Sequence, residues 1–200
     1  MTKQKNTPNL KKIEQLLTSS QALFTTQDLS VIWQVSDKVS LYSSIQYYIR
    51  AGKLRRVHKG IYTLAQKEYD SLELAQKLVR PSYISFHTAL AIHGINFQLY
   101  TTTHSIALKS KQLTVDQEKF AYHQLKDRVF YDSLGLEDKT TYFIAGPERA
   151  ICDSLYLTPG LSFDILDKID LDFLHRVSKI YDNQRLEADV DAIVKIEKSK

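Results

Sequence analysis

Twenty-eight consecutive residues, Pro81 to Leu108, contain no Lys, Arg, Asp or Glu in a chain that is 25% charged. An interval that long without charge belongs inside a fold. Its length alone would also suit a membrane span, which needs about 20 apolar residues. Twelve polar side chains argue against that: Ser82, Ser85, His87, Thr88, His93, Asn96, Gln98, Thr101, Thr102, Thr103, His104 and Ser105. Hydrocarbon cannot satisfy so many hydrogen-bonding groups. The segment therefore reads as the buried centre of a soluble domain. Tyr83-Ile84-Ser85 is extended in pattern, Phe86 to His93 is a helix closed by Gly94, and Thr103 to Leu108 is a strand.

The same periodicities place a helix over Ser71 to Val79, ended by Pro81, and strands at Lys119 to Leu125, Arg128 to Tyr131 and Thr141 to Ile144. Gly146-Pro147-Glu148 opens a helix through Tyr156, with Pro in its first turn and an acid near its positive end. Helical stretches follow at 163–169, 171–181 and 185–197. The second part, 71–200, is thus a mixed α/β domain whose tail is helical from about residue 162. Cys152 is the only cysteine, so no internal disulfide forms, and a reducing cytoplasm is the expected setting. Met1 to Asn6 is followed by no apolar run, which reads as no signal peptide.

Residues 1–70 have a different grammar. Leu10, Ile13, Leu16 and Leu17 recur at helical spacing, and Thr18 to Leu23 is a loop. Thr25 and Asp28 have the spacing of a capping box, with Phe24 positioned to staple onto Leu29, so a short helix runs from Thr26 to about Trp33. Leu41, Ile45, Tyr48 and Ile49 give a third helix one apolar face, and Gly52 ends it. Leu54 to Leu64 alternates, is rich in β-formers and has Gly60 for a tight reversal, which makes a hairpin. Helix, helix, helix, hairpin is the order of a winged helix-turn-helix, in which the third helix enters the major groove and the hairpin lies on phosphates.

Charge follows this division. Residues 1–70 hold 11 Lys and Arg against 5 Asp and Glu, a net +6, whereas the whole chain is +4. Lys38 to Lys67 contains Lys38, Arg50, Lys53, Arg55, Arg56, Lys59 and Lys67 and no acid. Opposite Leu41 and Ile45, the third helix carries Ser40, Ser43, Gln46, Tyr47 and Arg50, a set of donors and acceptors suited to base edges. With Lys53, Arg55, Arg56, His58 and Lys59 from the hairpin, these are the candidate contacts to double-stranded DNA, an inverted-repeat operator bound by a pair of chains. A solvated basic face and a protein-binding winged helix are the competing readings.

Nothing comparable marks an enzyme or a metal site. His87 and His93 are six apart, on different helix faces, and no HExxH or CxxC occurs. Ser85 and His87 lack a nucleophile elbow and read as cap and packing residues. The glycines at 52, 60, 94, 135, 146 and 160 form no phosphate loop, so no cofactor is implied. Arg149 and Asp153 read as an i,i+4 surface pair, and Cys152 between them as a small buried apolar residue.

Four blocks in succession carry a resemblance. Phe24-Thr25-Thr26-Gln27-Asp28-Leu29, Ala51 to Tyr62 (AGKLRRVHKGIY), Pro81 to Gly94 (PSYISFHTALAIHG) and Pro147 to Asp153 (PERAICD) together resemble the AbiEi antitoxins of bacterial abortive-infection systems, over about residues 20–157. The resemblance implies an antitoxin of a type IV toxin–antitoxin pair that is also the autorepressor of its operon. Its winged helix would bind inverted repeats. Its C-terminal domain would counteract a nucleotidyltransferase-like toxin, AbiEii, without a stable complex. On this chain Arg50, Lys53, Arg55, Arg56 and Lys59 match the family's basic helix end and wing; no residue is assigned to neutralisation. Neutralisation by direct, tight toxin binding and a plain transcriptional regulator stay open as alternatives.

Overall fold

A computed structural model of the chain describes residues 8–98 and 101–199; Met1 to Asn6, on which the signal-peptide reading rests, and the side chain of Leu10 lie outside what is described. The fold is mixed α+β with two sheets, and it divides into two compact units, one ending at Leu78 and the next beginning at Val79. Among the described residues no helix is long and apolar enough to cross a membrane.

In order, the first unit has α1 (Pro8–Leu17), β1 (Leu23–Thr25), α2 (Thr26–Ile32), α3 (Lys38–Arg50), β2 (Leu54–His58), β3 (Ile61–Leu64) and α4 (Ser71–Leu78). Its core is Leu16, Phe24, Leu29, Trp33, Leu41, Ile45, Tyr48, Leu54, Tyr62 and Leu64, to which each of α1, α2, α3 and the sheet contributes. The capping box forms as the spacing requires: Thr25 Oγ1 accepts from the Asp28 amide at 3.1 Å and Asp28 Oδ2 accepts from the Thr25 amide at 2.9 Å. Phe24 and Leu29 share the core on either side of it.

Two expectations fail here, and one residue of α1 lies off its inward face. Leu23 is not loop but the start of β1, an antiparallel partner of β3 (Leu23 opposite Thr63) and so the third strand of a sheet ordered β1-β3-β2. Three residues are too few to show a period of two. Leu17 is 62% exposed while Leu16 is fully buried, because α1 turns only one narrow stripe inward. Finally, the unit ends at Leu78, not near Asp70, since α4 is bound into it by buried charge. Glu73 accepts from the backbone N–H groups of Ala22 and Leu23 at 2.9 to 3.2 Å, and Lys77 Nζ lies 2.8 Å from Asp28 Oδ2. The change in charge excess at residue 70 marks a change of surface, which is not where packing stops.

The second unit contains β4 (Ser82–Ile84), α5 (Phe86–Ile92), β5 (Thr102–Ala107), β6 (Lys111–Val115), β7 (Glu118–Gln124), α6 (Asp127–Phe130), β8 (Leu136–Asp138), β9 (Phe143–Ala145), α7 (Pro147–Leu157), α8 (Leu171–Lys179) and α9 (Gln184–Lys198). Its sheet runs β6-β7-β5-β4-β9-β8, with β5–β7 and β4–β9 parallel and the other pairs antiparallel. The uncharged segment supplies the two middle strands, β4 and β5, and α5, which packs on α7. Burial of the kind predicted holds for Ser82 to Phe86 and Ser105 to Ala107, whereas Ile92 and Phe97 are exposed.

Arg128 to Tyr131 is not a strand: it lies in and just after α6, a helical turn in which the Phe130 and Tyr131 amides donate to the carbonyls of Lys126 and Asp127 at 3.0 Å. Residues 163–169 are not helical. The amides of Asp164 and Ile165 donate to the Ile95 carbonyl, and the Phe97 amide donates to Asp164, so this backbone is held by a loop instead of by its own turns. Strands β6 and β8 were not expected.

Candidate nucleic-acid interface

α3 begins on Asp37, whose Oδ2 accepts the Ser40 amide at 2.7 Å; hydrogen bonds from Ser40 hold that carboxyl below its ordinary pKa. Leu41, Ile45 and Tyr48 point into the core, so the helix cannot rotate without exposing them. The outward side is therefore fixed. Ser40, Ser43, Gln46, Tyr47 and Arg50 are all exposed, as the wheel requires. Ser43, Gln46, Tyr47 and Arg50 line an open groove of about 590 Å³ together with Lys38, Val39 and Tyr42; Ser40 is outside it. Val39, 75% exposed, and Tyr42, 50% exposed, were missed by a reading that looked for polar groups alone.

The helix end is joined to the hairpin by backbone. After Gly52, at φ +62°, the Lys53 amide donates to the Tyr48 carbonyl at 2.9 Å and the Lys53 carbonyl accepts from Ala65 at 3.0 Å. Within β2 the register slips between Arg56 and His58, leaving Val57 unmatched. This bulge lets Leu54 and Val57 both turn inward while Arg55 and Arg56 both stay exposed. Gly60, at φ +78°, closes the turn after the exposed Lys59. The Arg55 guanidinium lies 5.5 Å from the Tyr69 ring centroid, and Arg56 Nε donates to the His58 carbonyl at 3.4 Å. His58 itself is only half-exposed. Lys67, the last cation of the acid-free interval, donates its ammonium to the Gln21 carbonyl. Among the described residues no carboxylate lies within ion-pairing distance of Lys38, Arg50, Lys53, Arg55, Arg56 or Lys59.

The second unit corrects two expectations. Arg149 and Asp153 are not on the surface; both are fully buried, with Nε and Oδ1 3.4 Å apart. Arg149 donates to the carbonyls of Asp132, Leu134 and Val129 at 3.2, 3.0 and 2.7 Å and to the Tyr83 hydroxyl at 3.1 Å. Asp153 accepts from the hydroxyls of Tyr83, Tyr181 and Ser85, the last at 2.7 Å. Ser85 thus spends its side chain on Asp153 and does not cap α5. Burial pulls the partners in opposite senses: it raises the Asp153 pKa, and would lower that of Arg149 had the Asp153 charge not lifted it above its ordinary value. Three hydroxyl donors on two oxygens are the geometry of a carboxylate. Gly135, at φ +77°, lies so close that a Cβ there would stand 2.9 Å from Arg149 Cβ. Cys152 is fully buried, and burial raises its thiol's pKa.

A trio of histidines went unseen in the sequence because its members come from three elements. His87 of α5, His104 of β5 and His123 of β7 surround the Phe86 ring, which sits at φ +54°. The His104 and His123 rings stack at 5.2 Å, and Nδ1 of one lies 2.9 Å from Nε2 of the other. Among the described residues no group of three such side chains could hold a metal ion. Burial, and then mutual repulsion, lowers the pKa of His104 to about 4; burial lowers those of His87 and His123 too. Between pH 6.5 and about 4 the unfolded chain binds more protons at His104 than the folded one, so its contribution to stability, full above 6.5, is lost on acidification. We expect wild-type stability to fall between pH 7.5 and pH 5 by about 1 kcal/mol more than that of H104N, partial exposure screening the rest. Urea midpoints at the two pH values check this, and equal losses in the two proteins would refute it.

No family model matches the sequence, and no curated protein matches it.

Proposed function

We propose that the first unit is a winged helix-turn-helix that binds duplex DNA, and that the chain is a non-enzymatic, cytoplasmic antitoxin of the type IV class and the autorepressor of its operon. The observation that carries the DNA half is the set of exposed cations Arg50, Lys53, Arg55, Arg56 and Lys59, unpaired by carboxylate, at the end of α3 and along the hairpin, beside a helix face without acid. In this reading α3 enters the major groove and β2 and β3 lie along the phosphates, with two chains on an inverted repeat. His58, half-buried, is a minor member of the set.

The antitoxin half rests on the four sequence blocks and their order. It makes the chain a functional antagonist of a nucleotidyltransferase-like toxin that it does not hold in a stable complex. Co-expression with an AbiEii-like nucleotidyltransferase toxin is expected to restore growth while tagged chain recovers no toxin. Co-purification of the two proteins at low nanomolar affinity would instead favour neutralisation by direct binding. For the DNA half, fluorescence anisotropy with duplex from the chain's own upstream region should give a salt slope of about −4 per bound chain, as about four or five neutralised phosphates on each require. Absence of salt-dependent binding to any duplex would remove the DNA reading and leave a solvated basic face.

A further inference from the structure

Val39, Ser43, Gln46 and Arg50 stand at i, i+4, i+7 and i+11 on α3, a single stripe opposite the buried Leu41, Ile45 and Tyr48. Tyr42 flanks the stripe on one side and Tyr47 on the other, and all six line the same groove. Val39 is the most exposed of the large apolar side chains described. A single exposed apolar residue needs no explanation. This one lies at the N-terminal end of the stripe, next to Lys38 and beside a second exposed apolar group, Tyr42, with Arg50 at the other end and Lys53, Arg55 and Arg56 following on the hairpin. The nearest acid along the chain, Asp37, is engaged as the helix cap. Such a face complements a polyanion that offers an apolar contact between its charges, and the N-terminal part of a groove-entering helix is the part that meets base edges. Duplex DNA has one such feature in its major groove, the C5-methyl group of thymine, and an A·T pair presents beside it the adenine edge that a glutamine amide can pair with.

Resting on the DNA reading above, we propose that Val39 and Tyr42 are specificity-determining residues of α3, which pack on thymine methyl groups while Gln46 reads the adenine, so that each half-site has an A·T-containing centre. Arg50, at the far end of the stripe, and the hairpin cations supply affinity without reading sequence.

The test begins by selecting from a library of randomised duplexes and takes the enriched duplex as probe. Each of its thymines is then replaced by deoxyuridine, which removes the methyl group and nothing else. Wild type is expected to lose roughly 3- to 10-fold in affinity at one or two positions per half-site. V39A/Y42A is expected to bind the thymine and uracil duplexes equally, with an unchanged salt slope and an unchanged thermal melt. Equal binding of the two duplexes by wild type, with the salt slope intact, overturns the methyl contact and leaves the DNA reading standing. So does a V39A/Y42A protein that keeps full discrimination, or one that keeps full DNA affinity and loses only toxin antagonism, which would make this face a protein-docking surface. Failure to enrich any duplex overturns the DNA reading itself.

Discussion

Arg149→Ala is expected to destabilise the second unit by about 3–5 kcal/mol, a large share of the 5–15 kcal/mol that holds a typical domain together. The size of the effect comes from what is left behind. Arg149 is fully buried on α7 and satisfies three backbone carbonyls and the Tyr83 hydroxyl. Its guanidinium also lies 5.6 and 5.5 Å from the ring centroids of Tyr83 and Tyr181. Alanine leaves those acceptors unpaired, opens a void the size of the lost side chain and strands the Asp153 carboxylate in the interior. Arg149→Lys keeps the charge but lacks the planar fork that reaches Val129 and Leu134 together, so it should recover less than half of the loss. Removing both charges, as in R149M/D153L, is expected to recover more than Arg149→Lys does. It cannot recover everything, because the hydroxyls of Tyr83, Ser85 and Tyr181 would then lack their acceptor. Urea unfolding followed by far-UV circular dichroism measures each step, and an Arg149→Ala midpoint within 0.5 kcal/mol of wild type, on the order of a neutral surface change, would show that the network is incidental.

That network also shows where reading a sequence stops. Arg149 and Asp153 have the same i,i+4 spacing whether their helix lies on the surface or, as here, is packed against α5, α8 and α9. Spacing names partners; burial is decided by elements far off in the chain. The histidine trio failed for the same reason, since positions 87, 104 and 123 meet only because β5 and β7 pair in parallel, which sets His104 opposite Ala121, two residues before His123 on the same face. By contrast, Thr25 and Asp28 could be read as a cap because both halves of the device lie within four residues. The polar face of α3 could be read for a similar local reason, one helix with one inward stripe. Val39 and Tyr42 stood on the same wheel and were passed over because the chemistry sought there was hydrogen bonding. Some short elements resisted: β1 and β8 have three residues each, and in α6 the β-formers Val129 and Phe130 sit on helical backbone.

Exchanging Arg55 and Arg56 for glutamate should reduce duplex affinity by roughly 100-fold or more at 0.1 M salt, and lower the magnitude of the salt slope by about 2 per bound chain. On the proposed DNA reading, two phosphate contacts would disappear and two repulsions replace them. Fold is not at stake, for both side chains are exposed on β2, an edge strand of its sheet, and neither takes part in an ion pair among the described residues. What the fold does lose is the placement of Arg55 over the Tyr69 ring, worth about 0.5–1 kcal/mol at an exposed site, so the double variant should melt within a few degrees of wild type. K109E/K111E makes the same change of charge at exposed positions of the second unit and serves as the matched control. If binding depended only on the net charge of the chain, the two double variants would weaken it alike. If it depends on cations carried by the hairpin, the control keeps wild-type affinity and slope while R55E/R56E loses both. Unchanged affinity in R55E/R56E would mean that the hairpin does not touch the phosphates, and with it the assignment of α3 to the major groove would lose its electrostatic support.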